Sequence, residues 1–281
     1  MGPEATDDLV RRALFEDIGT GDHTTLATIP IASKGAARLL VKQAGVLAGV
    51  DMAQSVCSHF DPTLHLRLLL QDGASVVPND VAFTITGPAR SILSVERVLL
   101  NFMQRMSGIA TLTRAFVNAL DGTGCKVLDT RKTTPTLRAL EKLAVRIGGG
   151  HSHRSGLYDM ILIKDNHIDF AGGIPQAIRA AQEYLSANSL KLAIEVETRN
   201  MEEVREVLGT GGVQRIMLDN FAFDDLRAAV KLIGRASETE ASGGITLENA
   251  RKFAECGVDF ISVGALTHSA PSLDLSLKAM A

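Results

Sequence analysis

The sequence predicts an α/β protein in two parts, the second a set of parallel strands closed into a barrel. Three observations predict it. From Lys126 onward, short apolar runs alternate with helical stretches, and parallel neighbours need such crossovers. Nearly every run ends in charged or glycine residues, and barrel closure brings strand ends to one mouth. Before that point the pattern differs: strand-like runs are separated by Gly45 and Asp72-Gly73 turn signals. An open doubly wound sheet is the alternative for the second part.

The elements follow in order. Residues 4–17 read as an amphipathic helix with Leu9, Val10, Ala13 and Leu14 on one face. A Gly/Thr stretch, 19–25, reads as a loop. Strand-like runs cover 37–43, 46–48, 64–70 and 81–86. A long helical stretch, 91–120, is expected to break near Ser107-Gly108, which sets a boundary between domains at 1–110 and 111–269. The tail, about 270–281, is expected to pack back on the first. Barrel strands are read at 126–129, 160–163, 192–196, 215–218, 238–241 and 260–263. Asn200-Met-Glu-Glu203 is close to a capping box, and Thr246 starts a helix that Gly257 closes.

Composition narrows the function classes. The chain has 281 residues, 46% hydrophobic and 22% charged, which supports a packed core and excludes disorder. Aromatics are 4% with no Trp, and the formal net charge is -3. A nucleic-acid partner wants stacking platforms and a basic surface, so none is expected. Cys57, Cys125 and Cys256 form no CxxC, which points to a reducing, cytoplasmic setting rather than a disulfide framework or thiolate zinc site. No apolar run is long enough to span a membrane. Met1-Gly2 with Thr6 formally matches an acylation pattern, but Pro3 and Glu4 suit it poorly.

The strand ends carry the chemistry. Arg131 and Lys132 follow the first barrel strand and Lys164 the second. Glu195 and Glu197 end the third, sharing a face because they are two apart. Asp219-Asn220 ends the fourth, Ser242-Gly243-Gly244 the fifth, Gly264 the sixth. Arg154 and His153 follow a glycine run. Singly, each reads as a surface charge, a structural histidine or a tight turn. Together they offer forks for carboxylates, acids for a divalent metal, and glycine turns for phosphate. The implied substrate is a polyanion carrying carboxylate and phosphate. No P-loop and no GxGxxG is present, so ATP and NAD are not expected.

An ordered set of runs extends over nearly the whole chain: Glu16 to Thr25, Glu96-Arg97, Ser107 to Thr111, Asp129 to Lys132, Gly148 to Leu157, Leu162 to His167, Glu195 to Glu197, Leu218 to Phe221, Glu240 to Ile245 and Val263 to Ser269. On these runs the chain resembles the quinolinate phosphoribosyltransferase family. The resemblance implies an N-terminal α/β sandwich joined to a C-terminal α/β barrel, and a homodimer with active sites between subunits. It implies transfer of phosphoribosyl from phosphoribosyl pyrophosphate to quinolinate, with decarboxylation and with Mg2+. It implies that Arg131, Lys132, His153 and Arg154 hold the carboxylates, with Lys164 between the two substrates. Glu197 and Asp219 would face ribose and metal. Ser242, Gly243, Gly244, Gly264 and His268 would line the phosphate end, and Arg97 would enter from the partner subunit. Lys132, Lys164, Glu197 and Asp219 form the implied catalytic set.

Three positions depart from the family pattern. Ser152 stands where Asn is usual, Thr136 where Gly is usual, and His23 where an aliphatic residue is commoner. Two other functions compete: a lyase or aldolase using Lys164 as a Schiff base, and a metabolite-binding protein without turnover.

Overall fold

The computed structural model describes residues 3–280. Met1 and Gly2, where the acylation pattern begins, lie outside the described residues. The chain divides into two compact units.

The first unit holds helices α1 (Pro3–Ile18) and α2 (His23–Thr28), strands β1 (Lys34–Val41) and β2 (Gly45–Val46), helix α3 (Val50–Phe60), strands β3 (His65–Leu68), β4 (Ser75–Val76) and β5 (Val81–Pro88), and most of helix α4 (Ala89–Ala119). The stretch read as a loop at 19–25 is a loop only in its first half. Asp22 caps α2, accepting from the Thr25 amide at 3.0 Å, so the helix starts at His23. Helix α3 escaped the sequence reading, although Val50, Ala53, Val56 and Cys57 recur at helical spacing and are buried.

The expected break at Ser107-Gly108 is absent: α4 runs unbroken for 31 residues. Gly108 serves packing instead. A Cβ there would lie 1.9 Å from the Pro271 carbonyl oxygen, so only glycine lets that backbone approach. Ser107 also stays helical while its hydroxyl accepts from the Ala48 amide at 2.8 Å.

The first unit's main sheet has the order β12-β1-β5-β3, where β12 is the chain's last strand (Leu275–Met280). All its ladders are antiparallel. Leu39 lies opposite Phe83 and both are fully buried, as are Leu99 and Met103 of α4. Helix α5 (Arg138–Ile147) clusters with this unit too, though it lies between two barrel strands in sequence. The Arg105 guanidinium binds the buried Glu141 carboxylate through Nη2 at 2.7 Å and Nε at 3.1 Å, tying α5 to α4.

The second unit is the barrel. Its strands are β6 (Lys126–Leu128), β7 (Ile161–Ile163), β8 (Ile194–Thr198), β9 (Arg215–Asp219), β10 (Glu238–Ser242) and β11 (Phe260–Ser262). Helices α6 (Asp165–Ala171) and α7 (Ile174–Ala187) follow β7, α8 (Met201–Thr210) follows β8, α9 (Phe223–Ile233) follows β9, α10 (Ala250–Ala254) follows β10, and α11 (Ala265–His268) follows β11. The order is β6-β11-β10-β9-β8-β7, all parallel. The first strand pairs with the last, the ladder that rolls this sheet into a barrel. Among the described residues no ladder joins β6 to β7. The free edge of β6 takes residue His151, whose amide donates to Val127 at 2.9 Å while its carbonyl accepts from Asp129 at 3.1 Å.

Strand alternation sorts the barrel's side chains. Val196, Ile216, Leu218 and Ala241 are buried on one face, beneath the helices. Glu195, Glu197, Arg215, Met217, Asp219, Glu240 and Ser242 take the other face and point into the barrel, which is therefore unusually charged.

Candidate active site

Two adjoining cavities open at the carboxyl ends of the barrel strands. The inner, about 180 Å³, is walled by Arg131, Lys132, His153, Arg154, Lys164 and Glu240 with the apolar Leu162 and Met217. The outer, about 480 Å³, is walled by Lys132, Lys164, Glu197, Asp219, the 242–246 turn, Gly264 and His268. Lys132 and Lys164 line both. Every candidate residue except Arg97 is thus brought to this mouth. Arg97 lies exposed on α4 in the first unit and lines neither cavity.

Each cation has a defined support. Arg131 follows β6, and its Nε is buried without a hydrogen-bond partner. Leaving a buried donor of a charged group unmade is costly, so the site is built for an acceptor. Arg154 stands next to it. Burial, then the neighbouring Arg131, pulls the Arg154 guanidinium below its usual range. Lys132 is fixed through its backbone: its amide donates to Thr130 Oγ1 at 3.0 Å and its carbonyl accepts from Thr267 Oγ1 at 2.9 Å. Its stem crosses Gly264, where a Cβ would lie 3.0 Å from Lys132 Cδ. Lys164 caps α6, and its ammonium is bonded to Glu197.

The outer cavity carries oxygen donors on one side and glycine turns on the other. Asn220 donates to Asp219 Oδ2 at 2.6 Å and holds a left-handed backbone, φ 57. Its amide donates to the Ser242 carbonyl at 2.8 Å, locking the ends of β9 and β10 together. Gly243 and Gly244 have φ 95 and 60. A Cβ on Gly243 would lie 2.2 Å from Asn220 Oδ1, so both backbone shape and space exclude a side chain.

Beneath the inner cavity lies a buried ionic column, of which sequence reasoning found only parts. His153 Nε2 lies 3.0 Å from Glu195 Oε2 and 3.5 Å from Glu240 Oε2. Arg215 reaches Glu240 Oε2 at 3.2 Å and Glu238 Oε2 at 2.9 Å, with its guanidinium carbon 4.2 Å from the Phe260 ring centroid. Burial pushes both Glu195 and Glu240 up to about 7, and for Glu240 the adjacent Glu195 adds to the push. Burial opposes the charge of Arg215, yet the two acids outweigh it and hold Arg215 above its usual range. The missed residues are Arg215 and Glu240. Their signal was present: β10 reads Glu-Thr-Glu-Ala-Ser, and parallel barrel strands normally carry apolar runs.

His153, Glu195 and Glu240 are spaced as metal ligands could be. The surrounding cations argue against an ion there. Arg215 already occupies Glu240, and both Arg154 and Arg215 act on Glu195. Glu197 and Asp219 face the larger outer cavity and offer the hard oxygen donors that magnesium takes.

Comparison with known proteins finds similar chains and folds. The model of the quinolinate phosphoribosyl transferase N-terminal domain matches residues 22–107, and that of the C-terminal domain matches residues 109–278. The chain is 48% identical over 285 residues to the chloroplastic carboxylating nicotinate-nucleotide pyrophosphorylase of Arabidopsis thaliana, covering 96% of this chain and 81% of that one. It is 44% identical to a probable carboxylating nicotinate-nucleotide pyrophosphorylase of Synechocystis, covering 97% and 92%. Its fold matches the crystal structure of NadC from Streptococcus pyogenes with TM-score 0.94 at 40% identity, covering 100% and 99%.

Proposed function

The chain belongs to the quinolinate phosphoribosyl transferase family, and from that premise we propose how its barrel mouth works. The enzyme transfers phosphoribosyl from phosphoribosyl pyrophosphate to quinolinate and yields nicotinate mononucleotide, pyrophosphate and carbon dioxide, a step of NAD biosynthesis. Quinolinate takes the inner cavity. The observation that carries this is the buried Arg131 Nε without a partner, set beside Arg154. Two guanidinium forks and two ammonium groups around a small cavity with apolar walls suit a flat ring bearing two carboxylates. His153 contributes to that wall.

The sugar donor takes the outer cavity. Ser242, Gly243, Gly244, Gly264 and His268 accommodate its phosphate end. Glu197 and Asp219 face the ribose, where carboxylates favour the positive charge that develops at the reacting carbon. These two acids would also hold magnesium, which supplies charge for the departing pyrophosphate.

The residues position rather than attack. The pyridine nitrogen is a weak nucleophile, so fixing both carboxylates brings it to the sugar carbon in reactive geometry. The new carbon–nitrogen bond forms as the carbon–oxygen bond to pyrophosphate breaks. The ring nitrogen, now positive, stabilises the electron pair left on the adjacent carbon when carbon dioxide departs. A proton then takes that place. Lys132 and Lys164 border both cavities and can follow charge from one to the other. Lys164 is a poor Schiff-base candidate because its ammonium is already bonded to Glu197.

The proposal extends to assembly and setting. The chain acts as a homodimer in which Arg97 enters the partner's site. Dimers mixed from Arg97→Ala and Lys164→Ala chains would regain activity on this reading, and exchange without regained activity would refute it. Three buried free cysteines suit a reducing compartment such as the cytoplasm. Among the described residues no helix is long and apolar enough to cross a membrane.

The pocket assignment is tested by Arg131→Ala. Quinolinate binding should weaken by about 2–5 kcal/mol, the usual cost of truncating one partner of a buried charge pair. Near-normal affinity in calorimetry would remove Arg131 from the site.

A further inference from the structure

We propose that Arg215 and Glu240 are positioning residues for the quinolinate pocket, acting on Arg154 through His153. This rests on the reading of the inner cavity given above. Arg215 stands at the start of β9, four residues before Asp219, hence roughly 13 Å from the mouth along the strand. Charge at that end of a barrel ordinarily reads as stability. The contacts here lead upward to the site.

Arg215 Nη1 and His153 Nε2 share one oxygen, Glu240 Oε2, at 3.2 Å and 3.5 Å. The other ring nitrogen, His153 Nδ1, lies 2.7 Å from the Arg154 amide. An amide can only donate, so Nδ1 is the acceptor and Nε2 carries the hydrogen, with Glu195 Oε2 3.0 Å from that nitrogen. The His153 amide in turn donates to the buried Asp129 at 2.9 Å, on the segment that leads into Arg131. The imidazole therefore lies over the two acids, within ion-pair distance of both, and is bonded to the chain it positions. Its orientation sets where Arg154 leaves the backbone.

Charge adds a second link. Arg154 lies in the field of Glu195. Two buried acids without a cation beneath them would draw the Arg154 guanidinium down, away from substrate. Arg215 neutralises them from the far side and leaves the Arg154 fork available. The acids compete with quinolinate for Arg154, and Arg215 sets the terms of that competition.

The test separates positioning from plain stability. Replacing a buried ion pair with apolar side chains of similar size is often neutral for stability. The double variant Arg215→Met with Glu240→Met should therefore stay folded. Calorimetry should show its quinolinate affinity weakened about tenfold, within the range for one unmade buried bond, with phosphoribosyl pyrophosphate affinity changed less than about twofold. Arg215→Lys, which keeps the charge, should recover most of the quinolinate affinity. If the double variant does not fold, Arg215→Gln takes its place, with quinolinate weakened at least about threefold more than the sugar donor. Unchanged affinity for both ligands, or equal loss of both, overturns the inference. Wild-type protein that fails to bind quinolinate overturns the cavity assignment as well.

Discussion

The Lys164 ammonium is bonded to the Glu197 carboxylate across the ends of β7 and β8. Neither residue is idle without substrate: each occupies the other. On the proposed reading, quinolinate takes Lys164 from Glu197, and the ribose side takes Glu197 from Lys164. The side chains are 42% and 12% exposed, so water screens the pair and the exchange is inexpensive.

That contact predicts opposite effects on binding and turnover. Glu197→Gln frees Lys164 from its competitor. Quinolinate affinity should rise by about two- to fivefold, the scale of a partly exposed ion pair, while turnover falls because the ribose-facing acid is gone. Calorimetry and steady-state rates on the same preparation decide it. Weaker quinolinate binding in this variant would show that Glu197 supports Lys164 rather than competing with it.

Thr136 has φ 69. A β-branched side chain in the left-handed region costs about 1–2 kcal/mol. Glycine removes that strain but adds unfolded-state entropy worth about 0.5–1 kcal/mol. Thr136→Gly should therefore be net stabilising by about 0.5–1 kcal/mol, read as a small rise in melting temperature. A fall would mean that the Thr136 side chain makes a compensating contact.

The buried acids predict an unusual pH slope. Glu195 and Glu240 are raised to about 7 from 4.5. A carboxyl raised on folding binds its proton more tightly in the native state. Its stabilising effect is complete below about 4.5 and is lost as pH rises through about 7. Thermal stability should thus decline between those values, by up to about 1.4 kcal/mol per pH unit for each proton involved. Glu240→Gln should flatten the slope. Stability rising across this window would place both acids in an ionised, well-paired state.

The barrel was legible because most of its strands are short apolar runs set between helices, and strand-end groups such as Arg131, Lys164 and Asp219 mark one rim. Helix α4 was misjudged at Gly108 because a glycine demanded by the close approach of Pro271 looks, in sequence, like a helix breaker. Helix α5 could not be assigned to the first unit, since the Arg105–Glu141 contact spans 36 positions and has no local signature. The ionic column was hidden for a related reason. Glu195 reads as a strand-end acid, and only the fold brings it to His153 and Glu240. Arg215 and Glu238 open two separate strands, yet they pair with each other at the floor of this column.

Product analysis decides which reaction runs at this barrel mouth. The chain is incubated with quinolinate, phosphoribosyl pyrophosphate and magnesium, and nicotinate mononucleotide and carbon dioxide are quantified together. The two should appear in equal amounts, with turnover abolished by excess chelator. No product, or nicotinate accepted in place of quinolinate, would contradict the assignment.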